Sequence, residues 1–189
     1  FLVKTVKAHE IFRLLAKNNW SMAEPGILFW DRIEKYNLLS NDPDFKYAGV
    51  NPCAEEPLPN GGSCLLGSFN LVEYIDESGQ YFDFARFRAD IPIVVKAMND
   101  VLDEGLPLHP LQIQRDTVRD YRQIGIGMMG LADLLIKLGI RYDSDNAIEL
   151  CDKIGFVLAN EAIRASALLA KEYGAYPKCK RDCLLKSSF

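Results

Sequence analysis

The sequence lacks several features that would assign it to other classes of protein. It has no run of about eighteen apolar residues, so no membrane-spanning helix is expected. It has no excess of positive charge, because 22 lysines and arginines against 26 aspartates and glutamates give a net charge of −4. That balance argues against a polyanion-binding surface and predicts no nucleic acid polymer as a partner. Internal repeats and low-complexity segments are also absent.

Histidine and cysteine are too scattered to predict a metal site or a disulfide framework. His9 and His109 lie far apart in the sequence and lack ligand spacing. Five cysteines are an odd number without a scaffold spacing, which suits a reducing cytoplasm better than a secreted framework. Cys179 and Cys183 lie four apart, but zinc would need two further ligands. A solvated basic tail with two free thiols is therefore favoured there over a metal site.

Length and composition are those of an ordinary globular domain. The 189 residues, of which 49% are hydrophobic and 25% charged, suffice for one core. Apolar periodicity predicts that helices dominate, with a few short strands. The predicted helical segments are 5–19, 31–36, one that begins at Phe84 and is capped by Asp83, 110–122, and the longest, which begins after 143–146 and ends at Gly174.

Two details of the predicted helices depend on local rules. Pro92 is predicted to begin a new helix rather than to lie inside one. Asn146, with Glu149 three residues later, predicts a capping box at the start of the longest helix. The apolar stripes expected to form the core are Ile93, Val94, Ala97, Met98, Val101 and Leu102 on one helix, and Ile148, Cys151, Ile154, Val157, Leu158, Ala162, Ala165, Leu168 and Leu169 on the other.

A glycine pattern at Gly125, Gly127 and Gly130 satisfies the dinucleotide-binding spacing literally. That site requires a buried strand before the first glycine, and residues 115–122 are too polar to form one. We therefore interpret these glycines as positions of close backbone packing rather than as a Rossmann site.

The most informative stretch is Asn-Pro-Cys-Ala-Glu at residues 51–55. Proline after Asn51 biases that residue toward extended geometry. Alternate side chains of an extended stretch share a face, so Asn51, Cys53 and Glu55 are expected to project together. A thiol can form a thiyl radical, a carboxylate can move a proton, and an amide can orient a hydroxyl.

The same stretch has a plainer interpretation. A free cysteine is usually a small buried hydrophobe, and carboxylates near prolines are usually solvated. Pro57 and Pro59 predict a stiffened loop rather than a paired central strand, with residues 60–63 as its flexible tip. The whole string favours a site, because a second thiol, Cys64, follows eleven residues after Cys53 in Ser-Cys-Leu-Leu-Gly-Ser-Phe-Asn-Leu.

Asn-Pro-Cys-x-Glu-x-Pro-Leu, the second cysteine and Gly-Ser-x-Asn-Leu together resemble the catalytic-subunit barrel of ribonucleotide reductases. Residues 24–33 and 122–133 resemble the family's segments upstream and downstream of the catalytic cysteine. The resemblance implies a helix-rich α/β fold, a partial segment of a ten-stranded α/β barrel with a catalytic finger loop. Residues 1–189 would be a single piece of that barrel domain, without its N- and C-terminal parts.

The resemblance also implies roles for individual residues. Cys53 would become a transient thiyl radical that abstracts the ribose 3′-hydrogen. Glu55 would be the general base toward the 3′-hydroxyl. Proton transfer requires the carboxylate to lie within hydrogen-bond reach of that hydroxyl. Asn51 would hydrogen-bond and orient the ribose hydroxyl. Cys64 would be one half of a redox-active dithiol, with its partner outside this chain.

The implied cofactor and partners follow from the same resemblance. The cysteine spacing looks most like the adenosylcobalamin-dependent class, and a separate metal-containing small subunit is the alternative radical source. The implied partners are a ribonucleoside di- or triphosphate, a thioredoxin- or glutaredoxin-type reductant, and the rest of the catalytic subunit.

The family's catalytic subunit is much longer than 189 residues, so the chain is expected to be a piece of it, cut or naturally split. Its open barrel edges are expected to be apolar and partly exposed, and the piece alone is expected to show no turnover.

Two other functions stay open on the sequence. A non-catalytic nucleotide-binding or assembly module derived from the same barrel would need none of Asn51, Cys53 and Glu55. A thiol redox protein would carry a stable disulfide between Cys53 and Cys64.

Overall fold

Seven α-helices and four short β-strands make up the described part of the chain, residues 4–63 and 65–187 of a computed structural model. The helices are α1 (Ala8–Met22), α2 (Trp30–Lys35), α3 (Phe84–Gly105), α4 (Gln112–Tyr121), α5 (Leu131–Lys137), α6 (Asp145–Tyr173) and α7 (Arg181–Leu184). The strands are β1 (Tyr47–Val50), β2 (Pro57–Pro59), β3 (Leu66–Asn70) and β4 (Gly125–Met129). This content confirms the prediction of a helix-rich α/β chain.

The four strands form two separate pairs. β1 and β2 are antiparallel neighbours joined by a short turn, so they form a hairpin. β3 and β4 are parallel, with Leu66 opposite Gly125 and Asn70 opposite Met129. A parallel pair needs a crossover connection, which α3 and α4 provide. The described residues do not close into a barrel.

The core lies between α3 and α6 and continues onto β3. Phe87, Ile91 and Val95 of α3 are almost completely buried, and Ile154 and Val157 of α6 belong to the same cluster. Aromatic rings extend it through edge-to-face contacts, with the Phe87 ring centroid 5.0 to 5.4 Å from those of Tyr74, Phe69 and Phe82. Such pairs add to the stabilisation from burial alone.

Pro92 lies inside α3, so the prediction that it begins a new helix is wrong. A proline within a helix removes one backbone hydrogen bond, and the freed carbonyl needs another partner. Pro92 lies on the exposed face, where water can supply one. Ile91 and Val95, on either side of it, are buried in the core and hold the helix continuous.

The predicted stripes are correct only in part. On α3 the buried face is Phe87, Ile91, Val95, Met98 and Leu102, whereas Ile93 and Val101 are exposed. On α6, Ile154, Val157, Leu158 and Ala165 are buried as predicted, Cys151 is half-buried, and Ile148 and Leu168 are exposed. The stripe predicted for α3 begins after Pro92 and so leaves out Phe87 and Ile91, which share the buried face with Val95, Met98 and Leu102.

The helix ends show which local rules hold. Asp83 caps α3 as predicted, since its carboxylate accepts hydrogen bonds from the backbone N–H groups of Ala85 and Arg86 at 3.0 and 2.9 Å. The cap of α6 is Ser144, whose hydroxyl accepts from Ala147 N at 3.3 Å, so the predicted capping box at Asn146 is wrong. Gly174 ends α6 as predicted.

The first helix contributes no residue to the buried core. α1 begins three residues later than predicted, at Ala8, and none of its residues is buried. Ile11, Phe12 and Leu14 of this helix are half or more exposed, whereas Leu15 is half-buried. No helix within residues 4–63 and 65–187 combines the length and apolar character needed to cross a membrane.

Ile91 and Ile93 provide a direct test of this core. Ile91 is 0% exposed and Ile93 is 65% exposed on the same helix. We expect Ile91→Ala to lower the free energy of unfolding by about 2–5 kcal/mol, because it leaves a cavity in the core. Ile93→Ala should change it by less than about 0.5 kcal/mol. Urea denaturation measures both, and an equal loss in the two variants would contradict the assignment of the buried face.

Candidate active site

The sequence motif lies at the tip of the hairpin formed by β1 and β2. Asn51 follows β1 directly, and its backbone N–H donates to Glu56 O at 3.2 Å. Its side-chain Oδ1 accepts from Glu56 N at 2.9 Å, and its backbone carbonyl accepts from Ala54 N at 2.9 Å. These bonds close a tight turn, on which Cys53 and Glu55 are both exposed.

The tip is a turn and not an extended segment, so the geometric reason for expecting the three side chains to project together is wrong. Ala54 has φ 68°, in the left-handed region, which reverses the chain between the two strands. The structure nonetheless brings Asn51, Cys53 and Glu55 into one short tip. Asn51 is half-buried and bonded to the turn, whereas Cys53 and Glu55 face solvent.

Pro57 and Pro59 belong to a paired strand, so the predicted loop is a second correction. Val50 lies opposite Pro57, Gly49 opposite Leu58 and Tyr47 opposite Pro59. Proline is tolerated here because the sheet has two strands, and the side without a neighbour needs no donors. The expectation that the segment is not a central strand is confirmed.

The first strand of the hairpin is held by aromatic contacts to α4. Phe45, just before β1, is buried, and its ring lies edge-on to those of Tyr121 and Tyr47, with centroids 5.1 and 5.3 Å away. The Tyr121 hydroxyl donates to Asp44 O at 3.4 Å. Burial raises the pKa of Tyr121, so the hydroxyl keeps its proton and remains a donor.

The second strand, β2, and the turn after it are held by polar contacts to α4 and to Gln123, just beyond the end of α4. Gln123 Nε2 donates to Pro57 O at 2.8 Å, and Thr117 Oγ1 donates to Asn60 O at 3.1 Å. Gly61 has φ +75° and approaches Ile113 so closely that a side chain would clash. The prediction that residues 60–63 form the flexible tip of the loop is therefore wrong, because they follow β2 and the turn at residues 60–61 is held against α4.

The C-terminal segment crosses the same region. Lys180 Nζ donates to Asp42 Oδ1 at 2.6 Å and also bonds Asp44, and the backbone N–H of Lys178 donates to Asp120 O at 3.1 Å. Asp42 is buried, and its hydrogen bond with Lys180 lowers the pKa of its carboxyl. The interpretation of this tail as simply solvated is therefore wrong. Cys179 and Cys183 are half-buried free thiols in it.

Glu56 is the site residue that sequence reasoning missed. Its side chain is buried, and neither carboxylate oxygen has a hydrogen-bond partner in the part of the chain that the structure describes. It lies over Gly125, where a methyl group would overlap Oε1. The signal in the sequence was the second glutamate after Cys53, together with Gly125, a glycine that no turn requires. The interpretation of the glycine pattern as close packing is confirmed at this position, and α4 rather than a strand precedes it.

Not all of the cysteines considered in the sequence fall within the described residues. Cys64 lies outside the described residues. Cys53 and Cys151 are free thiols. Among the residues that the structure describes, no three His, Cys, Asp or Glu side chains are grouped as a metal site would require.

The fold and the tip together define a class, an α/β protein in which a hairpin presents a thiol and a carboxylate beside a parallel strand pair. The family model for the ribonucleotide reductase barrel domain matches residues 2–188. The chain therefore belongs to the ribonucleotide reductase family.

Particular relatives and a solved structure agree with this assignment. The vitamin B12-dependent ribonucleoside-diphosphate reductase of Thermoplasma acidophilum is 37% identical over 176 residues, which are 93% of this chain and 22% of that protein. The protein of the same name from Mycobacterium tuberculosis is 34% identical over 93% of this chain and 25% of its own length. The class Id ribonucleotide reductase alpha subunit of Actinobacillus ureae matches with a TM-score of 0.76 at 22% identity, over 90% of this chain and 33% of that one.

The two sequence relatives support the family, and the structural match supports the fold alone. The chain spans about a quarter of the length of the two relatives. What the whole protein does is therefore taken up as a proposal.

The Lys180 contact predicts a pH dependence of stability. The pKa of Asp42 is lower in the folded chain than its ordinary value of about 3.9. The contribution of the Asp42–Lys180 pair to folding stability is therefore complete above about pH 4 and is lost as the pH falls through the folded pKa. We expect Lys180→Met to lower the free energy of unfolding at pH 7, with a difference from wild type that shrinks below pH 4. Urea denaturation at several pH values measures it.

The matched control is Lys186→Met, a change of an exposed lysine in the same segment. It should have little effect on the free energy of unfolding at any of these pH values. A Lys180→Met effect of the same size at pH 7 and at about pH 2, well below the ordinary pKa of an aspartate, would show that packing of the lysine stem, rather than the ion pair, is responsible.

Proposed function

We propose that this chain is part of an enzyme that reduces ribonucleotides to deoxyribonucleotides by a radical mechanism, with the hairpin tip as its catalytic loop. The observation that carries the proposal is the exposure of Cys53 and Glu55 on one tight turn, in a chain of the ribonucleotide reductase family. A radical and a base can serve one substrate only if both can touch it, and this turn presents both.

In the proposed reaction, Cys53 acts as a thiyl radical. It abstracts the 3′-hydrogen, so an S–H bond forms as the C3′–H bond breaks and the radical moves to the ribose. Glu55 accepts the proton of the 3′-hydroxyl as general base. The activated ribose then loses a hydroxyl as water, a step that is hard from a closed-shell sugar. Cys53 finally returns the hydrogen atom to C3′ and is regenerated.

The electrons for this reduction come from a dithiol. We propose Cys64 as one of its two thiols, with a partner outside this chain. The dithiol loses two electrons and two protons and becomes a disulfide, and the ribonucleotide becomes a deoxyribonucleotide and water. A thioredoxin- or glutaredoxin-type protein then reduces the disulfide by thiol exchange.

Asn51 is proposed to orient the ribose hydroxyl with its carboxamide. Support comes from how firmly the residue is held, because its Oδ1 accepts from Glu56 N and its backbone closes the turn at both ends. A group fixed in this way loses little conformational entropy when it binds a substrate.

Adenosylcobalamin is proposed as the radical source, on the printed names of the relatives and on the exposure of Cys53. When bound, it supplies the one-electron chemistry that converts a thiol to a thiyl radical. An exposed thiol at a hairpin tip fits a group that approaches from outside the chain. The alternative source is a separate metal-containing subunit. The relatives' names favour a ribonucleoside diphosphate as substrate.

Cys53 tests the reaction and the cofactor together. In the full-length parent protein we expect deoxyribonucleotide formation that depends on adenosylcobalamin and is abolished in Cys53→Ala, because no other group of the tip can form the radical. The assay is chromatographic detection of deoxyribonucleotide with and without cobalamin. Cys151→Ala, a change of a half-buried thiol on α6, is the matched control and should retain activity.

Three other outcomes would change the proposal. Activity that needs a separate metal-containing subunit would keep the reductase and discard cobalamin. Activity that survives Cys53→Ala would discard the radical residue. Nucleotide binding without any reduction in the wild type would favour the non-catalytic module.

Glu55 tests the proton transfer separately. We expect Glu55→Gln to lower kcat by about 10²–10⁴-fold, the usual contribution of a positioned general base, while substrate binding is retained. Steady-state kinetics of the full-length protein measure this loss. Glu77→Gln, a change of an exposed glutamate in another turn, is the control. A Glu55→Gln variant with wild-type kcat would remove the base from this residue.

A further inference from the structure

The two adjacent glutamates of the tip have opposite environments. Glu55 is exposed, whereas Glu56 is 6% exposed and its two carboxylate oxygens have no hydrogen-bond partner within residues 4–63 and 65–187. Burial of a carboxyl group without a partner is unfavourable, and such groups in folded proteins need an explanation. The proposed reaction uses Glu55 and leaves Glu56 without a role.

The surroundings of Glu56 are shaped around it. Gly125 begins β4, and a methyl group there would overlap Oε1 of Glu56 and lie 2.6 Å from Leu66 Cδ2. Gly125 is not among the glycines with positive φ, so the backbone does not require glycine there. The requirement comes from the Glu56 side chain and its neighbour Leu66.

Glu56 is also bonded to the start of the turn. Its backbone N–H donates to Asn51 Oδ1 and its backbone carbonyl accepts from Asn51 N, at 2.9 and 3.2 Å. Cys53 lies between these two residues. A shift of Glu56 as a whole away from Gly125, backbone included, would therefore move both ends of the turn that carries the thiol.

We propose that Glu56 is a positioning residue of the reaction, whose buried carboxyl group, lying over Gly125, fixes the turn that presents Cys53. This inference rests on the proposed function. Glu56 touches no reacting atom in it and acts through the backbone of the turn. The hydrogen transfer needs the sulfur close to the ribose, and a displacement of about 1 Å can cost about 10²-fold in rate.

The test uses the full-length protein and the pair of residues in contact. We expect Glu56→Ala and Gly125→Ala each to lower kcat by about 10–100-fold with little change in KM, because positioning is lost and binding is not. Glu56→Gln should retain most of the activity, since the amide has the shape of the carboxyl group. Glu56→Ala combined with Gly125→Ala should lose no more than Glu56→Ala alone, because the methyl group then meets only the end of the exposed Leu66 side chain, which can shift.

The matched control is Gly127→Ala in the same strand, where the nearest atom to a methyl group is Ser68 Oγ at 3.1 Å. It should keep kcat near wild type. The proposal would be overturned by wild-type kcat in Glu56→Ala and Gly125→Ala. It would also be overturned if the losses multiply in the double variant, or if Glu56→Gln loses as much as Glu56→Ala.

A second readout does not depend on turnover. The Glu56 amide hydrogen is bonded to Asn51 Oδ1, so hydrogen exchange in the hairpin should be slow in the wild type and in Gly127→Ala. It should be faster in Glu56→Ala and Gly125→Ala. If the wild type reduces no ribonucleotide, the proposed function fails while exchange still tests the positioning. If hydrogen exchange is unchanged in both variants while the wild type is active, the positioning role of Glu56 is contradicted and the proposed reductase function is retained.

Discussion

The position of the hairpin depends on one arginine at the end of α4. Arg122 has φ 48°, an uncommon conformation for a residue with a side chain, and its guanidinium bonds both carboxylate oxygens of Asp103 at 2.6 and 2.9 Å. It also reaches Asn99 of α3 at 3.3 Å. A partly exposed ion pair contributes only about 1 kcal/mol or less. Its importance is geometric, because a guanidinium that makes two parallel bonds fixes the direction of α4 relative to α3.

The hairpin of β1 and β2 is held in place by α4, whose direction Arg122 fixes. Thr117, Tyr121 and Gln123 hold its two strands, and all three lie in α4 or within two residues of its end. On the α3 side, Arg122 binds Asn99 and Asp103, and α3 itself is held in the core by its buried face. A turn with exposed reactive groups can be well placed only if the elements behind it are rigid. Here Asn51 and Glu56 hold the turn through their hydrogen bonds, while Cys53 and Glu55 stay exposed on it.

Features that depend on neighbours in sequence could be predicted, and features that depend on distant contacts could not. The Asp83 cap, the end of α6 at Gly174 and the reactive motif are local patterns. Pro92 lies inside α3 because core packing outweighs the lost hydrogen bond. The tip is a turn because β1 and β2 pair, which Pro57 and Pro59 argued against. Glu56 was missed because its neighbour Gly125 comes from another part of the chain.

Gly125 shows how one position can satisfy two unrelated patterns. Its spacing with Gly127 and Gly130 matches a phosphate-binding motif, yet the requirement for glycine arises from a carboxyl group over it. Its backbone N–H donates to Leu65 O at 2.8 Å, directly after Cys64 in the sequence. The first residue of β4 thus contacts the turn of the proposed radical thiol and the backbone beside the proposed dithiol. Gly125 therefore joins the hairpin tip to the start of β3, and a side chain at this one position would disturb both, because it would meet Glu56 and Leu66.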